Sequence, residues 1–509
     1  MWCFSPVRLL RSGGMTYVDA WNGEKLMVTT LIIKELMAII RSPKFAGAFA
    51  VCAILMLLSV YVGINEYQAS VRQFETAGRL TAQRVQQQTD WFGVTNRVHR
   101  APNPLQIFAS GLSYDIGRFS EINVEEGVKL RHSVYADDPL FAVFRIVDFT
   151  FIVQIILSLF AILFTYDAVC GEREDGTLRL VLANAVPRAH FIFAKCAGSW
   201  LGLVVPICVP IVLSMLLVVV AGVPLSGPEW AKLLTLIGAS LLFFTFFIVV
   251  GVMISTLARR TAVSFLLSLV AWIAFVLVIP RAGVLAAGQL VSVPSVAEIE
   301  GRRDGFAKAR WVEFQRQMAE RWDERTADAD STLEMDGEQV WGWMEEDQRA
   351  RTEIERGIDE FEGKLIADLR RSREVQERLG LSLSRFSPAA AYQLAAMSLA
   401  GTGLELKSRH EDAINEYRDG FKQFVEKKQE EYGLPNVVEV SITSEGSFNI
   451  QTSREGPGLD FGELPQFDAP HTTYAAALTP AITDLGLLAF YTIVAFAGAF
   501  VRFIRYDVR

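Results

Sequence analysis

Six separate runs of apolar residues, each about 20 residues long, constrain this chain more than any other feature of its sequence. A helix rises about 1.5 Å per residue, so such a run crosses the roughly 30 Å hydrocarbon core of a membrane. Helices buried in a soluble core usually keep one polar face. The chain, 51% hydrophobic over 509 residues, is therefore predicted to be an α-helical polytopic membrane protein. The runs are Phe45–Ile64, Phe149–Thr165, Cys196–Val220, Leu234–Leu257, Val263–Ile279 and Leu485–Val501.

The basic residues next to the runs predict the orientation of the chain, because lysine and arginine concentrate in cytoplasmic connections. Arg41 and Lys44 precede the first run, Arg259 and Arg260 join the fourth to the fifth, and Arg502 follows the sixth. All of these positions fall on one side of the membrane. Both termini are therefore predicted in the cytoplasm, with two large segments outside.

The predicted layout combines these spans with their connections. The N-terminus, with an amphipathic helix in the membrane interface, covers 1–44, and the cytoplasmic tail covers 504–509. The spans are 45–64, 146–165, 196–221, 234–257, 262–279 and 481–503. The extracytoplasmic segments are 65–145 and 280–480, and a cytoplasmic loop covers 166–195.

The segment before the first span carries a broad apolar stripe from Ile32 to Ile40, interrupted by Lys34 and Glu35. This pattern is typical of a helix that lies in the membrane interface. A simple extension of the first span is the alternative. The first residues lack an apolar core of signal-peptide length, and translation is expected to begin at Met1, Met15 or Met27.

The larger extracytoplasmic segment is predicted to be mainly helical, because apolar residues recur there at spacings of three and four. Ser387 and Gly401 are the predicted start and end of one small-residue helix, which either packs beneath the helices or rests on the membrane. Alternating residues predict a β-hairpin near 437–451. Neither exterior segment contains a cysteine, so no disulfide can stabilise it. The helical stripes are Trp311, Phe314, Met318 and Trp322; Ile354, Ile358, Phe361, Leu365 and Leu369; and Ile414, Tyr417, Phe421 and Phe424.

Motifs of several enzyme and binding classes are missing from the sequence. There is no GxxxxGK[ST] phosphate loop, no HExxH zinc motif and no GxSxG nucleophile elbow. The five histidines lack metal-ligand spacing, and His410, beside Glu411 and Asp412, is interpreted as part of a solvated helix face. The net charge of −8, without a concentrated basic face, argues against nucleic acid. No catalytic residues, metal site or cofactor are predicted in this chain.

One charged segment, CGEREDGTLR from Cys170 to Arg179, lies between the second and third runs. Its charged residues are too costly to bury in lipid, at about 2.5 to 3.5 kcal/mol each near the bilayer centre. Aliphatic residues follow them directly, at Leu178 and Leu180–Leu182. A short helix with a charged start and an apolar body suits docking in a groove of a soluble partner.

The sequence around this segment, TYDAVCGEREDGTLRLVLANAVPRAHFIFAKC, resembles the cytoplasmic loop of type-2 ATP-binding-cassette (ABC) exporter permeases. The resemblance extends to RSPKF before the first span, SRFSPAAAYQLAAMSLAGTG before the last, the C-terminal RFIRYDVR and the six-span layout. Within this family the chain resembles the subgroup with a large extracytoplasmic insert before the final span. The insert from Arg281 to Leu383 matches no family that we can name.

The resemblance implies a function for the chain and a role for this loop. The chain would be the transmembrane subunit of an exporter in the bacterial inner membrane. It would pair with a second permease chain, the same or related, and with a dimer of ABC ATPase subunits that bind ATP and magnesium. The loop would be the coupling helix that contacts the ATPase, through Glu172, Arg173, Glu174, Gly176, Thr177, Leu178 and Arg179, with Gly176 allowing the turn and Thr177 capping the helix.

Four residues in or near the spans are candidates for the transport pathway or for a hinge. Asp148 and Asp484 lie near predicted outer ends of spans, where a carboxylate is costly unless it is hydrated or paired. Pro206 and Pro210 each remove a hydrogen bond from the third span and predict a kink. Both aspartates could also simply mark the interface.

A second interpretation is a membrane scaffold or sensor that transmits force and whose extracytoplasmic domain binds a protein or ligand. Such a protein needs no passage of substrate. Co-purification of the chain with an ATPase, or without one, distinguishes the two interpretations.

Overall fold

The computed structural model describes residues 17–87, 95–113, 119–122, 130–131, 147–183, 186–326, 337–432, 437–442, 448–453, 462, 464–469 and 472–505. The chain divides into two compact units. The membrane unit comprises Met1–Leu277 and Ser387–Arg509, and the helical unit comprises Val278–Phe386.

Six helical runs among the described residues are long and apolar enough to cross a membrane, which confirms the predicted number. We number them span 1 to span 6. Most extend beyond the predicted apolar runs, because polar residues continue a helix once it leaves the hydrocarbon region. The bounds are Pro43–Gln86, Phe149–Glu174, Arg188–Val220, Gly227–Leu257, Thr261–Leu290 and Tyr474–Ile504.

Spans 2 and 5 are not uniform α-helices, because each contains a π-helical segment, Ile152–Leu157 and Ile273–Val278. The α-helical parts of span 2 are Phe149–Phe151, Ser158–Thr165 and Cys170–Glu174. Those of span 5 are Thr261–Trp272 and Ile279–Leu290. The other helices are Tyr17–Ile40, Thr177–Ala183, Val296–Thr326, Gly337–Ser384, Pro388–Ala400 and Glu405–Tyr432, with a 3₁₀ turn at Pro104–Ile107.

The N-terminal helix, Tyr17–Ile40, is separate from span 1. It ends in a turn at Arg41, and Pro43 begins span 1 after Ser42 in an extended conformation. Proline fixes its own φ and suits the first turn of a helix, so a new helix begins at this position. The alternative of one continuous extension of span 1 is therefore wrong.

Span 1 continues as a helix to Gln86, well into the predicted first extracytoplasmic segment. Its 44 residues correspond to about 66 Å. A three-stranded antiparallel sheet that the sequence did not predict follows, with strands Asn96–His99, Phe119–Ile122 and Leu130–Arg131 in that order.

The helix Glu405–Tyr432 packs its apolar stripe inside the membrane unit. Its Ile414 and Phe421 are fully buried in a cluster with Val85 of span 1 and Val98 of the first strand. The predicted single domain over 280–480 is therefore divided, since the partner of this stripe comes from the first extracytoplasmic segment. His410, on the same helix, is also buried, and its interpretation as a solvated residue is wrong.

The small-residue helix, Pro388–Ala400, begins and ends where its capping residues predicted. Ser387 Oγ accepts hydrogen bonds from the backbone N–H groups of Ala389 and Ala390, and Gly401 has a left-handed φ of 69°. The helix is almost entirely buried in the core formed with spans 4 and 6. Its Tyr392 stacks on Phe243 with 4.6 Å between ring centroids. Burial in the core, and not a position on the membrane surface, is the observed arrangement.

The helical unit contains three packed helices, Ile279–Leu290, Val296–Thr326 and Gly337–Ser384. Phe306 and Phe361 stack at 4.2 Å between the two long helices, and Arg303 binds Glu362 at 2.8 Å beside them. Gly283 permits a close approach, because a Cβ there would lie 2.7 Å from the backbone nitrogen of Ser384. This packing accounts for two of the predicted apolar stripes.

The strands Val437–Ile442 and Phe448–Ser453 pair in antiparallel fashion, with Val437 opposite Ser453. They coincide with the predicted hairpin, whose turn at 443–447 lies outside the described residues.

Tyr392 provides a test of the buried helix. Tyr392→Phe removes only the hydroxyl, which lies 2.9 Å from Ser240 Oγ, and we expect it to destabilise the protein by about 1 kcal/mol. Tyr392→Ala also opens a cavity and should cost about 3 to 5 kcal/mol. Thermal unfolding of the purified chain in mild detergent measures both. Tyr61→Phe, at a residue that is 55% exposed, is the control. Equal behaviour of Tyr392→Ala and the control would contradict the buried position.

Candidate functional site

The charged segment between spans 2 and 3 forms two short helices joined by a glycine turn. The helix Cys170–Glu174 ends at Asp175, Gly176 follows, and the helix Thr177–Ala183 begins directly after it. Gly176 has a φ of 73°, which a residue with a Cβ rarely adopts, so the expected turn at this glycine is present. The hydroxyl of Thr177 donates to the carbonyl oxygen of Glu172 at 3.2 Å and fastens the second helix to the first.

Glu172 lies at the centre of an ion cluster within the chain, in which Lys34 is half exposed and the other side chains are mostly buried. Its Oε1 is 2.7 Å from Nζ of Lys34 on the N-terminal helix and 2.8 Å from Nζ of Lys195 on span 3. Lys195 also binds Glu35 of the N-terminal helix at 2.8 Å. The Lys195 side chain is 5% exposed, and the two glutamates are each 12% exposed. We call these four residues the loop ion cluster.

The other charges of the segment also bind to the chain itself. Arg173 Nη1 donates to the carbonyl oxygen of Ala258 at 2.8 Å, and Glu174 Oε2 accepts a hydrogen bond from Thr261 Oγ1 at 2.7 Å. Ala258 lies in the connection between spans 4 and 5, and Thr261 is the first residue of span 5. The hydroxyl of Ser255 also accepts hydrogen bonds from the backbone nitrogens of Val169 and Cys170. Hydrogen bonds therefore join the segment to span 4, to the connection after span 4 and to the start of span 5.

Leu178 fixes the second helix from its inner side. It is 1% exposed and lies in a cluster with Val169, Phe191 of span 3 and Phe503 of span 6. Phe191 and Phe503 stack at 5.1 Å, so this cluster joins the loop to both spans.

Fewer of the predicted contact residues are exposed on the surface of the segment than the sequence led us to expect. Glu174, Asp175, Gly176, Thr177, Arg179 and Leu180 are exposed. Leu180 is a large apolar side chain that is 67% exposed. We call the stretch from Asp175 to Leu180, without Leu178, the loop face. Of the predicted contact residues, Glu172, Arg173 and Leu178 make contacts within the chain, and their contact with an ATPase stays a prediction.

The sequence contains a signal for this arrangement that the sequence analysis missed. Gly198 and Gly202 are spaced four residues apart on one face of span 3, a spacing that lets helices approach closely in membranes. A Cβ on Gly198 would lie 2.5 Å from Cβ of Glu35, and one on Gly202 would lie 3.2 Å from Cδ1 of Ile39. The two glycines therefore bring the N-terminal helix close enough for Glu35 to reach Lys195.

The predicted pathway residues have different surroundings. Asp148 is the N-cap of span 2, where Oδ1 accepts from Phe151 N at 2.7 Å and Oδ2 accepts from Ser110 N at 2.9 Å. It also lines a cavity of about 110 Å³ with Gln154 and Gln393. Asp484 is buried within span 6, 1% exposed. A role of either carboxylate in a transport pathway stays a prediction.

Pro206 and Pro210 lie inside span 3, whose helix continues unbroken from Arg188 to Val220. A kink or hinge at these prolines stays a prediction.

Among the described residues, no group of three or more His, Cys, Asp or Glu side chains could hold a metal ion.

Comparison with known proteins is consistent with the arrangement of the spans and the loop. A sequence model of the family described as ABC-2 family transporter protein matches residues 29–508. The match includes half of the N-terminal helix, all six spans, the whole helical unit and most of the membrane unit. No curated protein matches the chain.

The loop ion cluster predicts the effect of removing one of its charges. Glu172→Gln leaves the buried Lys195 with Glu35 as its remaining carboxylate and removes the negative charge that pairs with Lys34. We expect the protein to lose about 1.5 to 3 kcal/mol of stability, the usual contribution of a hydrogen bond to a charged group, as measured by thermal unfolding in detergent. Asp175→Asn removes an exposed charge three residues away and is the matched control. A similar, small effect of both variants would show that the cluster does not fix the loop.

Proposed function

Because the chain belongs to the ABC-2 family of transporter proteins and is a permease subunit of an ABC transporter, we propose that it works as an exporter driven by a separate ATPase dimer. ATP and magnesium bind to the ATPase subunits. The loop between spans 2 and 3 is the coupling helix, and the loop face is its contact surface.

The observation that carries this proposal is the contrast between the inner and outer sides of the loop. Glu172, Arg173 and Leu178 hold the loop rigidly to the spans, while Arg179 and Leu180 remain exposed. A large exposed apolar residue beside charges is typical of the contact surface of a soluble partner. In a loop that only connected two spans, neither the fastening nor the exposed leucine would be needed.

The contacts of the loop also support the transmission of force. A push on the loop face reaches the N-terminal helix through Lys34, span 3 through Lys195 and the connection of spans 4 and 5 through Arg173. Reversal of a two-state equilibrium from 1:99 to 99:1 requires about 5.5 kcal/mol. Closure of an ATP-bound ATPase dimer can transfer this free energy to the spans only if the contacts between the loop and the spans are rigid. Ion pairs and packed aromatic rings make these contacts rigid.

The proposed orientation has the loop and both termini in the cytoplasm and the helical unit outside. The convergence of basic residues at the loop end of the membrane unit supports it. Arg188 donates to the carbonyl oxygen of Ile504 at 2.6 Å, so the start of span 3 and the end of span 6 meet there. Two further pairs of arginines lie nearby, as expected for a cytoplasmic side. Arg259 and Arg260 lie in the connection before span 5, and Arg502 and Arg505 lie at the end of span 6.

A second permease chain completes the transporter in this proposal, because six spans provide one half of the pore. The exporter belongs to the bacterial inner membrane, with the helical unit in the periplasm. The resemblance to exporter permeases with a large insert before the last span supports both assignments.

Force transmission to an extracytoplasmic partner, without passage of substrate, is the second candidate function. The observation that favours it is the compact helical unit, whose helices of 31 and 48 residues carry mostly charged exposed faces. Such a unit can bind a partner protein without any opening in the spans. The same ATPase and the same loop face serve both functions.

Affinity purification of the tagged chain in mild detergent tests the proposed function. We expect an ATPase subunit to co-purify with one or two permease chains and the product to hydrolyse ATP. Recovery of the chain alone, under conditions that preserve other ABC complexes, would contradict the proposal and favour a scaffold without an ATPase. Reconstitution into vesicles then separates export from force transmission by the presence or absence of substrate passage.

Leu180 provides the variant that tests the loop face. Leu180→Ser should reduce the amount of co-purified ATPase about tenfold, because loss of a well-packed interface anchor costs more than 1 kcal/mol. The folded permease should be unaffected, since the side chain is 67% exposed. Leu404→Ser makes the same change at an exposed residue away from the loop and is the control. Unchanged ATPase recovery in Leu180→Ser would remove the loop face from the interface.

A further inference from the structure

A second site lies in the membrane unit, at the opposite end of span 4 from the loop. Span 4 begins at Gly227 and ends at Leu257, next to Ala258, which binds Arg173 of the loop. Its 31 residues separate the two ends by about 45 Å. At the Gly227 end there is a cavity of about 460 Å³. This volume lies within the usual range for pockets that bind small molecules, about 300 to 1,000 Å³.

The side chains that line this cavity give it an excess of positive charge. Arg100, Lys232 and Arg409 are cationic, and Glu229 is the one carboxylate among the described lining residues. Both the backbone nitrogen and the hydroxyl of Ser226 donate to Glu229 Oε2, at 2.6 and 2.7 Å. Glu229 therefore caps the start of span 4, and Arg100 donates to the carbonyl oxygen of Ser113. The described residues form no salt bridge with Lys232 or Arg409 within 4.0 Å.

Two of the cations are held in place by the same residue. Lys232 Nζ donates to the backbone carbonyl oxygen of Thr472 at 2.5 Å, and Arg409 Nη1 donates to Thr472 Oγ1 at 3.1 Å. Lys232 is 6% exposed. Burial of a lysine without a carboxylate partner costs several kcal/mol unless an anion compensates it. The described residues do not supply a salt bridge to Lys232 within 4.0 Å, so an anion from outside the described residues would compensate its charge.

His410 adds a neutral hydrogen-bonding group to the same cavity. It is 2% exposed, and its Nε2 is buried without a hydrogen-bond partner among the described residues. Burial, and then the nearby charge of Arg100, lower the pKa of His410 to about 4. The imidazole is therefore neutral at pH 7 and can donate or accept one hydrogen bond. A buried nitrogen of this kind needs a hydrogen-bond partner from beyond the described residues, and a ligand or a bound water in the cavity can provide it.

We propose that this cavity binds a phosphate group, carried either by the headgroup of an anionic phospholipid or by a free phosphate compound. Arg409 and Arg100 provide planar guanidinium groups that suit phosphate oxygens, Lys232 provides a point charge, and His410 Nε2 provides a further hydrogen bond. The cavity is larger than a phosphate ion and leaves room for the group attached to it.

The test measures binding to the full chain, purified in mild detergent without the ATPase, so that its outcome is independent of the proposed export function. The probes are inorganic phosphate, glycerol 3-phosphate and short-chain phosphatidylglycerol, with short-chain diacylglycerol as the uncharged comparison. Each probe is titrated while thermal unfolding is followed, because a ligand that binds the folded state raises the unfolding temperature. We expect a concentration-dependent rise with at least one phosphate probe and none with diacylglycerol.

Arg409→Gln is the principal variant, and Lys407→Gln, on an exposed face of the same helix, is its matched control. Arg409→Gln should weaken binding about tenfold or more, as expected for loss of a charge-assisted contact, and Lys407→Gln should not. Arg100→Gln is the second variant and decides the outcome if Arg409→Gln does not fold.

The probes distinguish the two sources of phosphate. Binding of phosphatidylglycerol alone assigns the site to a lipid headgroup, and binding of glycerol 3-phosphate or inorganic phosphate with similar affinity assigns it to a free compound. Absence of binding to the wild-type chain by all three phosphate probes would overturn the proposal. Binding that is unchanged in both Arg409→Gln and Arg100→Gln would overturn it as well.

Discussion

The ion pairs of the buried Lys195 with Glu172 and Glu35, together with the half-exposed pair of Glu172 and Lys34, are the interaction on which the loop end of the molecule depends. Burial of these charges is costly, and it is tolerated because each buried charge has at least one opposite charge within 2.8 Å. The pairs join the N-terminal helix, span 3 and the loop. The two glycines at 198 and 202 make this possible, because they let the N-terminal helix approach span 3 closely. Loss of either the charges or the glycines would separate elements that are distant in sequence.

This cluster gives the charged loop a different role from that of a simple contact patch. Glu172 and Arg173 bond to helices and connections of the same chain, and these bonds fix the position of the loop on its own spans. In the proposed function the ATPase meets a small surface, from Asp175 to Leu180, beneath which Leu178 is buried. A rigid support of this kind makes movement of the partner effective, since displacement of the surface must move the spans behind it.

The sequence was sufficient for features that depend on neighbouring residues. Apolar run length predicted six spans, and Ser387 and Gly401 predicted both ends of the small-residue helix, because hydrophobicity and capping act locally. The sequence was not sufficient for side-chain directions and burial that depend on residues far apart in the chain. The direction of Glu172 depends on Lys34, which lies 138 residues away, and the burial of Leu178 depends on Phe503. The burial of His410 was missed for the same reason, since its charged sequence neighbours gave no sign of the cavity beside it.

Site-specific photo-crosslinking in the intact complex tests the central claim most directly, that the loop face is the surface on which the ATPase acts. A photoreactive amino acid is placed in turn at Arg179 and Leu180 on the loop face, at the inward-facing Glu172, and at the distant Leu404, in a chain that still co-purifies with its ATPase. Crosslinks to the ATPase from positions 179 and 180, and none from 172 and 404, are predicted. An ATPase that co-purifies but crosslinks from position 404, or from neither 179 nor 180, would contradict the assignment of the loop face.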